Sequence, residues 1–115
     1  MVEIDRSYRA VYRYARVSPQ KARRIMDTVR GRQVDEALAV LKRLPHRSAR
    51  MIEKVIGSAL ANAQDRQDMD PSELCVTTAT VDEGPRMKRM RPICRGMATI
   101  IQKRMSHLTV VLEPR

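Results

Sequence analysis

The sequence has 115 residues, of which 23 are Lys or Arg and 13 are Asp or Glu, and its net charge is +10. A chain of this length builds one hydrophobic core, which excludes a multidomain enzyme. No apolar run approaches the ~20 residues that cross a bilayer, and residues 1–14 contain no apolar segment of the kind found in secretory signals. We therefore expect a soluble, cytoplasmic protein with one domain over residues 1–115 and no membrane partner.

The basic residues fall into two groups that no carboxylate opposes. Those of the first basic segment, residues 6–26, are Arg6, Arg9, Arg13, Arg16, Lys21, Arg23 and Arg24. Those of the second basic segment, residues 85–106, are Arg86, Lys88, Arg89, Arg91, Arg95, Lys103 and Arg104. Residues 27–84 carry eight basic and ten acidic residues. Because unopposed like charges repel, this separation favours a polyanionic partner, above all a nucleic acid. An anionic membrane or protein surface and plain solvated charge are the alternatives.

The first predicted element is a strand over residues 8–17. Tyr8, Ala10, Tyr12 and Tyr14 occupy every second position, with Arg9, Val11 and Arg13 between them, so the pattern places these four on one side of the strand. The opposite side is predicted to be basic.

Three amphipathic helices are predicted next. Ser18 and Pro19 provide an N-cap and a first helical residue for helix one, and Gly31 ends it. Pro45 closes helix two, and helix three covers residues 46 to about 64. The apolar stripes are Ala22, Ile25, Met26 and Val29 in helix one, Val34, Ala37, Leu38 and Leu41 in helix two, and Ala49, Ile52, Ile56, Ala59, Leu60 and Ala63 in helix three.

Two further strands and a long hairpin complete the prediction. The segments LCVTTATV (residues 74–81) and HLTVVL (107–112) are rich in β-branched residues and suit an antiparallel sheet. Residues 97–106 still alternate, so residues 82–106 are predicted to form an arm projecting roughly 30 to 40 Å at ~3.3 Å per residue. A two-stranded ribbon is marginal alone, and we expect it to order fully only against a phosphate-rich partner. The fold class is α+β, with three helices packed on a small three-stranded antiparallel sheet and a protruding β-hairpin.

Catalytic and metal-binding patterns are missing from the sequence. Cys75 and Cys94 form no C-x-x-C pair and lie far along the chain from His46 and His107, so we interpret both as reduced thiols. No Ser-His-Asp spacing or phosphate-binding glycine loop occurs. We predict no enzymatic activity, no cofactor, no metal and no small-molecule substrate.

The composition also indicates how a nucleic acid would be bound. Ser18 to Lys21 opens a helix whose free N–H groups favour an anion. Three Tyr and no Phe or Trp argue against a base-stacking sheet, so recognition of backbone and shape is expected, as for folded RNA. Met87 and Met90 lie where no core exists and would contact bases, a partner or a passing chain. A basic DNA-binding or nucleoid-associated protein is the alternative function, and an anionic-surface module is a third.

Several motifs resemble the bacterial large-subunit ribosomal protein family numbered twenty-two. They are Val81-Asp82-Glu83-Gly84-Pro85, Met87-Lys88-Arg89, Pro92, Gly96, Lys103-Arg104, Ser106-His107-Leu108-Thr109-Val110-Val111, Ser18-Pro19-Gln20-Lys21-Ala22-Arg23 and Ser58-Ala59-Leu60-Ala61-Asn62-Ala63. They occur in the family's order from about Tyr8 to Leu112. The sequence departs from the family pattern at Ile93-Cys94, where Arg-Ala is common, at Met97, where Arg is common, and at Met105, where Thr is common.

The resemblance implies a structural protein of the large ribosomal subunit that binds large-subunit ribosomal RNA and supports assembly. Its hairpin tip would help line the peptide exit tunnel, beside neighbouring ribosomal proteins and the nascent polypeptide, where changes can confer macrolide resistance. Met87, Lys88 and Arg89 would lie at or near the tip. The expected RNA-binding residues are Arg9, Arg13, Arg16, Ser18, Lys21, Arg23, Arg24, Arg86, Lys88, Arg89, Arg91, Arg95, Lys103, Arg104, Ser106 and His107. The expected tunnel-lining residues are Arg86, Met87, Lys88, Arg89, Met90 and Arg91.

Overall fold

The computed structural model describes residues 7–67 and 69–114, so Arg6 of the first basic segment lies outside the described residues. In chain order the elements are β1 (Tyr8–Ala15), α1 (Pro19–Val29), α2 (Val34–Arg43), α3 (Arg47–Gln67), a short 3-10 turn (Pro71–Glu73), β2 (Leu74–Pro92), a second 3-10 turn (Cys94–Gly96) and β3 (Ala98–Pro114). The three strands form one antiparallel sheet in the order β1-β3-β2. The predicted α+β fold with three helices is confirmed.

The helices begin and end close to the predicted positions. Pro19 is the first residue of α1, and the backbone turns away after Arg30, where Gly31 adopts a φ of +82°. This left-handed conformation costs glycine little. The third helix is longer than predicted because its last turn packs on β1, where the Tyr8 hydroxyl donates to Gln67 Oε1 at 2.5 Å.

The core lies between the helices and one face of the sheet. Leu108, Val110 and Leu112 on the central strand are fully buried, as are Ile52 and Ile56 of α3. All the residues of the predicted apolar helix stripes are buried except Leu38 and Leu60, which are half-buried at the margin of the core. None of the described helices covers the opposite face of the sheet, which we call the open sheet face.

Beyond the body, β2 and β3 continue as the predicted hairpin, whose paired residues 86–104 we call the arm. Pairing runs from Arg86 opposite Arg104 to Pro92 opposite Ala98. The molecule measures 69 × 33 × 19 Å, and its radius of gyration of 17.5 Å exceeds the roughly 13 Å expected of a compact chain of this size. A register shift marks the arm's root, where a Cβ on Gly84 would come within 3.2 Å of the Met105 backbone. Glycine therefore permits the close approach of the two strands.

The end of β1 differs from the prediction. The strand ends at Ala15, and its register shifts between Tyr12 and Ala15 because Tyr14 adopts a φ of +60°. Tyr14 is consequently turned away from the core and is 59% exposed, whereas Ala15 is fully buried. The placement of Tyr14 on the same side as Tyr8 was therefore wrong, since an irregular residue breaks the alternation.

Candidate nucleic-acid interface

A cleft of about 540 Å³ lies where the arm leaves the body, and we call it the arm cleft. Its lining residues are Arg16, Val17, Ser18, Arg47, Met87, Arg89, Gln102, Lys103 and Arg104. Five of these side chains are cations, and none of the described residues that line the cleft is a carboxylate. The fold thus brings both basic segments to one concave surface, which raises the local potential for a polyanion.

A second cleft of about 360 Å³, the helix cleft, lies beside the first. It is lined by Val17, Lys21, Arg24, Ile25, His46, Arg47 and Ser48. The N-termini of α1 and α3 both lie here, and neither helix has an acidic residue in its first turn. Free N–H groups and the positive end of each helix dipole therefore reinforce the cations, an arrangement that favours phosphate oxygens.

Arg23 has a structural contact that sequence reasoning did not anticipate. Its Nε and Nη2 atoms donate to the Val81 carbonyl at 3.2 and 3.0 Å. Arg30 makes a similar contact, with Nε and Nη2 donating to the Ala79 carbonyl at 3.1 and 2.6 Å. These two arginines tie α1 to β2, so part of the basic segment's charge serves the fold.

Ser106 is not a surface residue and requires a correction. It is fully buried, and its Oγ donates to the Val17 carbonyl at 2.6 Å. This bond joins β3 to the segment that leads into α1, and burial removes the hydroxyl from reach of an RNA chain. We therefore exclude Ser106 from the interface.

Arg9, Arg13 and His107 lie together on the open sheet face rather than in the clefts. All three line a cavity of about 270 Å³ with Tyr14. His107 is half-buried, and its Nδ1 accepts a hydrogen bond from the Tyr14 backbone N–H at 3.1 Å. The surface formed by the first basic segment therefore wraps around two sides of the body.

The turn of the hairpin is further along the chain than predicted. It lies at Cys94–Gly96, so Met87, Lys88 and Arg89 belong to the shaft of the arm and not to its tip. Arg86 Nη1 donates to Gln102 Oε1 on the opposite strand at 3.0 Å, and Arg86 Nη2 lies 3.7 Å from a carboxylate oxygen of Glu83 on its own strand. Arg91 and Arg95 are the exposed cations nearest the turn. The tip was misplaced because the alternation of residues 97–106 fixes the returning strand but not the position of the turn.

Four exposed apolar side chains lie near the tip of the arm, beside the cations Arg91 and Arg95. Met90, Ile93, Met97 and Ile100 are 76%, 48%, 65% and 65% exposed. Met90 lies directly opposite Ile100, so these two side chains share one face of the ribbon. The exposed Cys94 thiol stands at the turn, while Cys75 is half-buried on β2, and both thiols are free. Exposed apolar side chains with no core beneath them indicate a contact surface.

Three residues of these surfaces were missed by sequence reasoning. Arg47 lines both clefts, and His46 lines the helix cleft. Both lie in the charge-balanced stretch 27–84, where the charge pattern indicates nothing. The sequence did contain one signal for them, which is their position just after Pro45 at the start of a helix, where an anion is favoured. Tyr14 was assigned to the wrong face for the reason given above.

Within residues 7–67 and 69–114 the structure contains no group of three or more His, Cys, Asp or Glu side chains that could hold a metal ion. None of the helices described there is long and apolar enough to cross a membrane.

Fold and charge together define a class of protein, a small basic α+β body that carries a cationic hairpin arm. Residues 10–113 match the family described as Ribosomal protein L22p/L17e. The chain belongs to the ribosomal protein L22p/L17e family, which confirms the resemblance found in its motifs. Members of this family are structural proteins, so the prediction that the chain is not an enzyme is also confirmed.

Two similar proteins are both named large ribosomal subunit protein uL22. The one from Halothermothrix orenii is 49% identical over 107 residues, and the one from Desulforamulus reducens is 47% identical over 107 residues. Each alignment covers 93% of this chain and 95% of the relative. The similarity therefore includes the body and the arm.

Proposed function

We propose that this protein is a structural component of the large ribosomal subunit in the cytoplasm, where it binds large-subunit ribosomal RNA and supports assembly. The observation that carries the proposal is the arm cleft, where cations from both basic segments meet with no carboxylate among the described lining residues. Family membership supports RNA over duplex DNA as the polyanion.

In this mechanism the protein acts without catalysis. The cations of the arm cleft and the helix cleft neutralise phosphates, and the displaced counterions add to the affinity. The body fixes the direction of the arm because Arg23 and Ser106 hold its two strands to α1 and to the segment before it. RNA that fills the clefts then contacts both the body and the root of the arm.

The proposal extends to the tip, where we place neighbouring ribosomal proteins and the nascent polypeptide. Residues 86–91, which lie in the shaft that leads to the tip, would also line the exit tunnel, with their cations against RNA. The exposed Met90, Ile93, Met97 and Ile100 support this assignment because an apolar patch suits a polypeptide better than a phosphate. Met side chains adapt to many apolar surfaces, as a passing chain of varied sequence would require.

The salt dependence of binding tests the RNA-binding mechanism. If the seven cations of one basic segment each met a phosphate, log affinity for a large-subunit RNA transcript would fall against log salt with a slope of about −5 to −6. Replacing Arg89 and Lys103 with Ala should make the slope shallower by about 2, since each removes one phosphate contact.

A matched control removes the same charge elsewhere. Lys42 and Arg43 are exposed in the last turn of α2 and line neither cleft, so their replacement with Ala should leave the slope nearly unchanged. Equal effects of the two double variants, or a wild-type slope near zero, would overturn the assigned clefts. Equal affinity for duplex DNA of the same length would favour the DNA-binding alternative.

A further inference from the structure

The open sheet face holds a shallow cavity that the clefts do not include. Its lining residues are Arg9, Val11, Arg13, Tyr14, Asp82, His107 and Thr109. At about 270 Å³ it is smaller than the roughly 300–1,000 Å³ of pockets for drug-sized ligands, so it suits a single planar ring system. An aromatic ring, two guanidinium groups and one carboxylate are gathered there.

The backbone at Tyr14 is held in a conformation that bulky residues rarely adopt. Its φ is +60°, a value at which Gly or Asn is common and an aromatic residue is an outlier. The register shift that contains Tyr14 turns the ring outward and leaves the small Ala15 to fill the core. Conformations of this kind concentrate at functional sites because the surrounding structure must maintain them.

His107 maintains this conformation from the neighbouring strand. Its Nδ1 accepts the Tyr14 backbone N–H at 3.1 Å, and the two rings meet edge to face, with centroids 5.1 Å apart and planes at 87°. Such a contact covers at most one face of the phenol ring. At least one face of an exposed aromatic ring therefore stays free of His107.

The charged groups of the cavity suit the two parts of a nucleotide, its phosphate and the edge of its base. Arg9 and Arg13 lie on β1 on either side of Val11 and supply positive charge for the flanking phosphates. The side-chain carboxylate of Asp82 has no hydrogen-bond or ion-pair partner among the described residues, and its charge would repel a phosphate. A carboxylate instead accepts hydrogen bonds from an exocyclic amino group on a base edge.

We propose that Tyr14 stacks on one unpaired base of the bound RNA, with Arg9 and Arg13 on the flanking phosphates and Asp82 selecting a base that carries an exocyclic amino group. The inference rests on the proposed function and adds a base contact to a protein whose other surfaces fit backbone and shape. Stacking on a single aromatic ring tolerates any base, so the preference for adenine, cytosine or guanine over uracil comes from Asp82.

The test compares Tyr14→Gly and Tyr14→Phe in the full chain, bound to a large-subunit RNA transcript. Glycine favours the positive φ, so Tyr14→Gly should keep the fold while it removes the ring. We expect roughly 5- to 150-fold weaker binding for Tyr14→Gly, near wild-type binding for Tyr14→Phe, and no change in salt slope for either. Chemical probing should show one unpaired base that wild type and Tyr14→Phe protect and Tyr14→Gly exposes.

The outcomes separate this inference from the proposed function. Wild-type affinity and an unchanged probing pattern for Tyr14→Gly, with a steep salt slope retained, would overturn the stacking site alone. Failure of the wild type to bind the transcript would overturn both. If Tyr14→Gly melts well below wild type, Tyr14→Leu replaces it, because leucine keeps an apolar side chain without an aromatic ring. A protected uracil would overturn the role of Asp82.

Discussion

In the body, β3 buries Leu108, Val110 and Leu112 beneath the helices, whereas in the arm the same strand leaves Ile100 largely in solvent. Both regions are paired with β2 through backbone hydrogen bonds. The difference is that only the body has a layer of helices to cover its apolar side chains, and two strands without such a layer are marginally stable in water. Backbone pairing therefore gives the arm its shape, and burial gives the body its stability.

The largest expected effect is on the free energy of unfolding, and it distinguishes two apolar residues of β3. Leu108→Ala removes a fully buried side chain from the central strand and should lower the free energy of unfolding by about 2 to 5 kcal/mol. The matched Ile100→Ala change should alter it by less than about 0.5 kcal/mol, because Ile100 covers no core. Urea denaturation of both variants measures the difference, and similar losses for the two would mean that the arm is part of the cooperative fold.

An intermediate effect is expected at the junction of the two regions. Ser106→Ala removes the hydrogen bond to the Val17 carbonyl and leaves that partly buried acceptor without its side-chain partner, which should cost about 1 kcal/mol. RNA binding should keep its salt slope, since no cation is lost. Lys103→Ala, which changes an exposed residue nearby, should leave the free energy of unfolding nearly unchanged and make the salt slope of RNA binding shallower. A shallower slope for Ser106→Ala would restore that residue to the interface.

The smallest effect on stability is expected in the shaft of the arm. Lys88 and Arg89 are exposed, so replacing both with Ala should leave the thermal midpoint of the free protein within about 4 °C of wild type, since each change is expected to alter the free energy of unfolding by no more than about 0.5 kcal/mol. In cells that carry the variant, we expect the change to appear in the macrolide response. A lowered thermal midpoint with an unaltered macrolide response would contradict this assignment.

The sequence predicted most of the body and only the outline of the arm. Apolar stripes such as Ala22, Ile25, Met26 and Val29 placed the helices because burial depends on a periodic pattern. The turn at Cys94–Gly96 and the outward rotation of Tyr14 were not predictable in this way, since each depends on backbone conformations at single residues, with φ of +59° at Arg95 and +60° at Tyr14.

The sequence also predicted only part of the candidate site. Charge blocks identified Arg16, Arg89, Lys103 and Arg104, which the fold brings to one cleft. Arg47 was missed because its segment is balanced in charge, and its role follows only from the packing of α3 beside α1. Proximity in space thus decided which cations act together.

Amide hydrogen exchange tests most directly whether the arm depends on its partner for stability. In the free protein we expect residues 86–104 to exchange far faster than residues 108–112, and in the complex with large-subunit RNA we expect the arm to become protected. Protection of residues 86–104 in the free protein equal to that of the central strand would contradict the account.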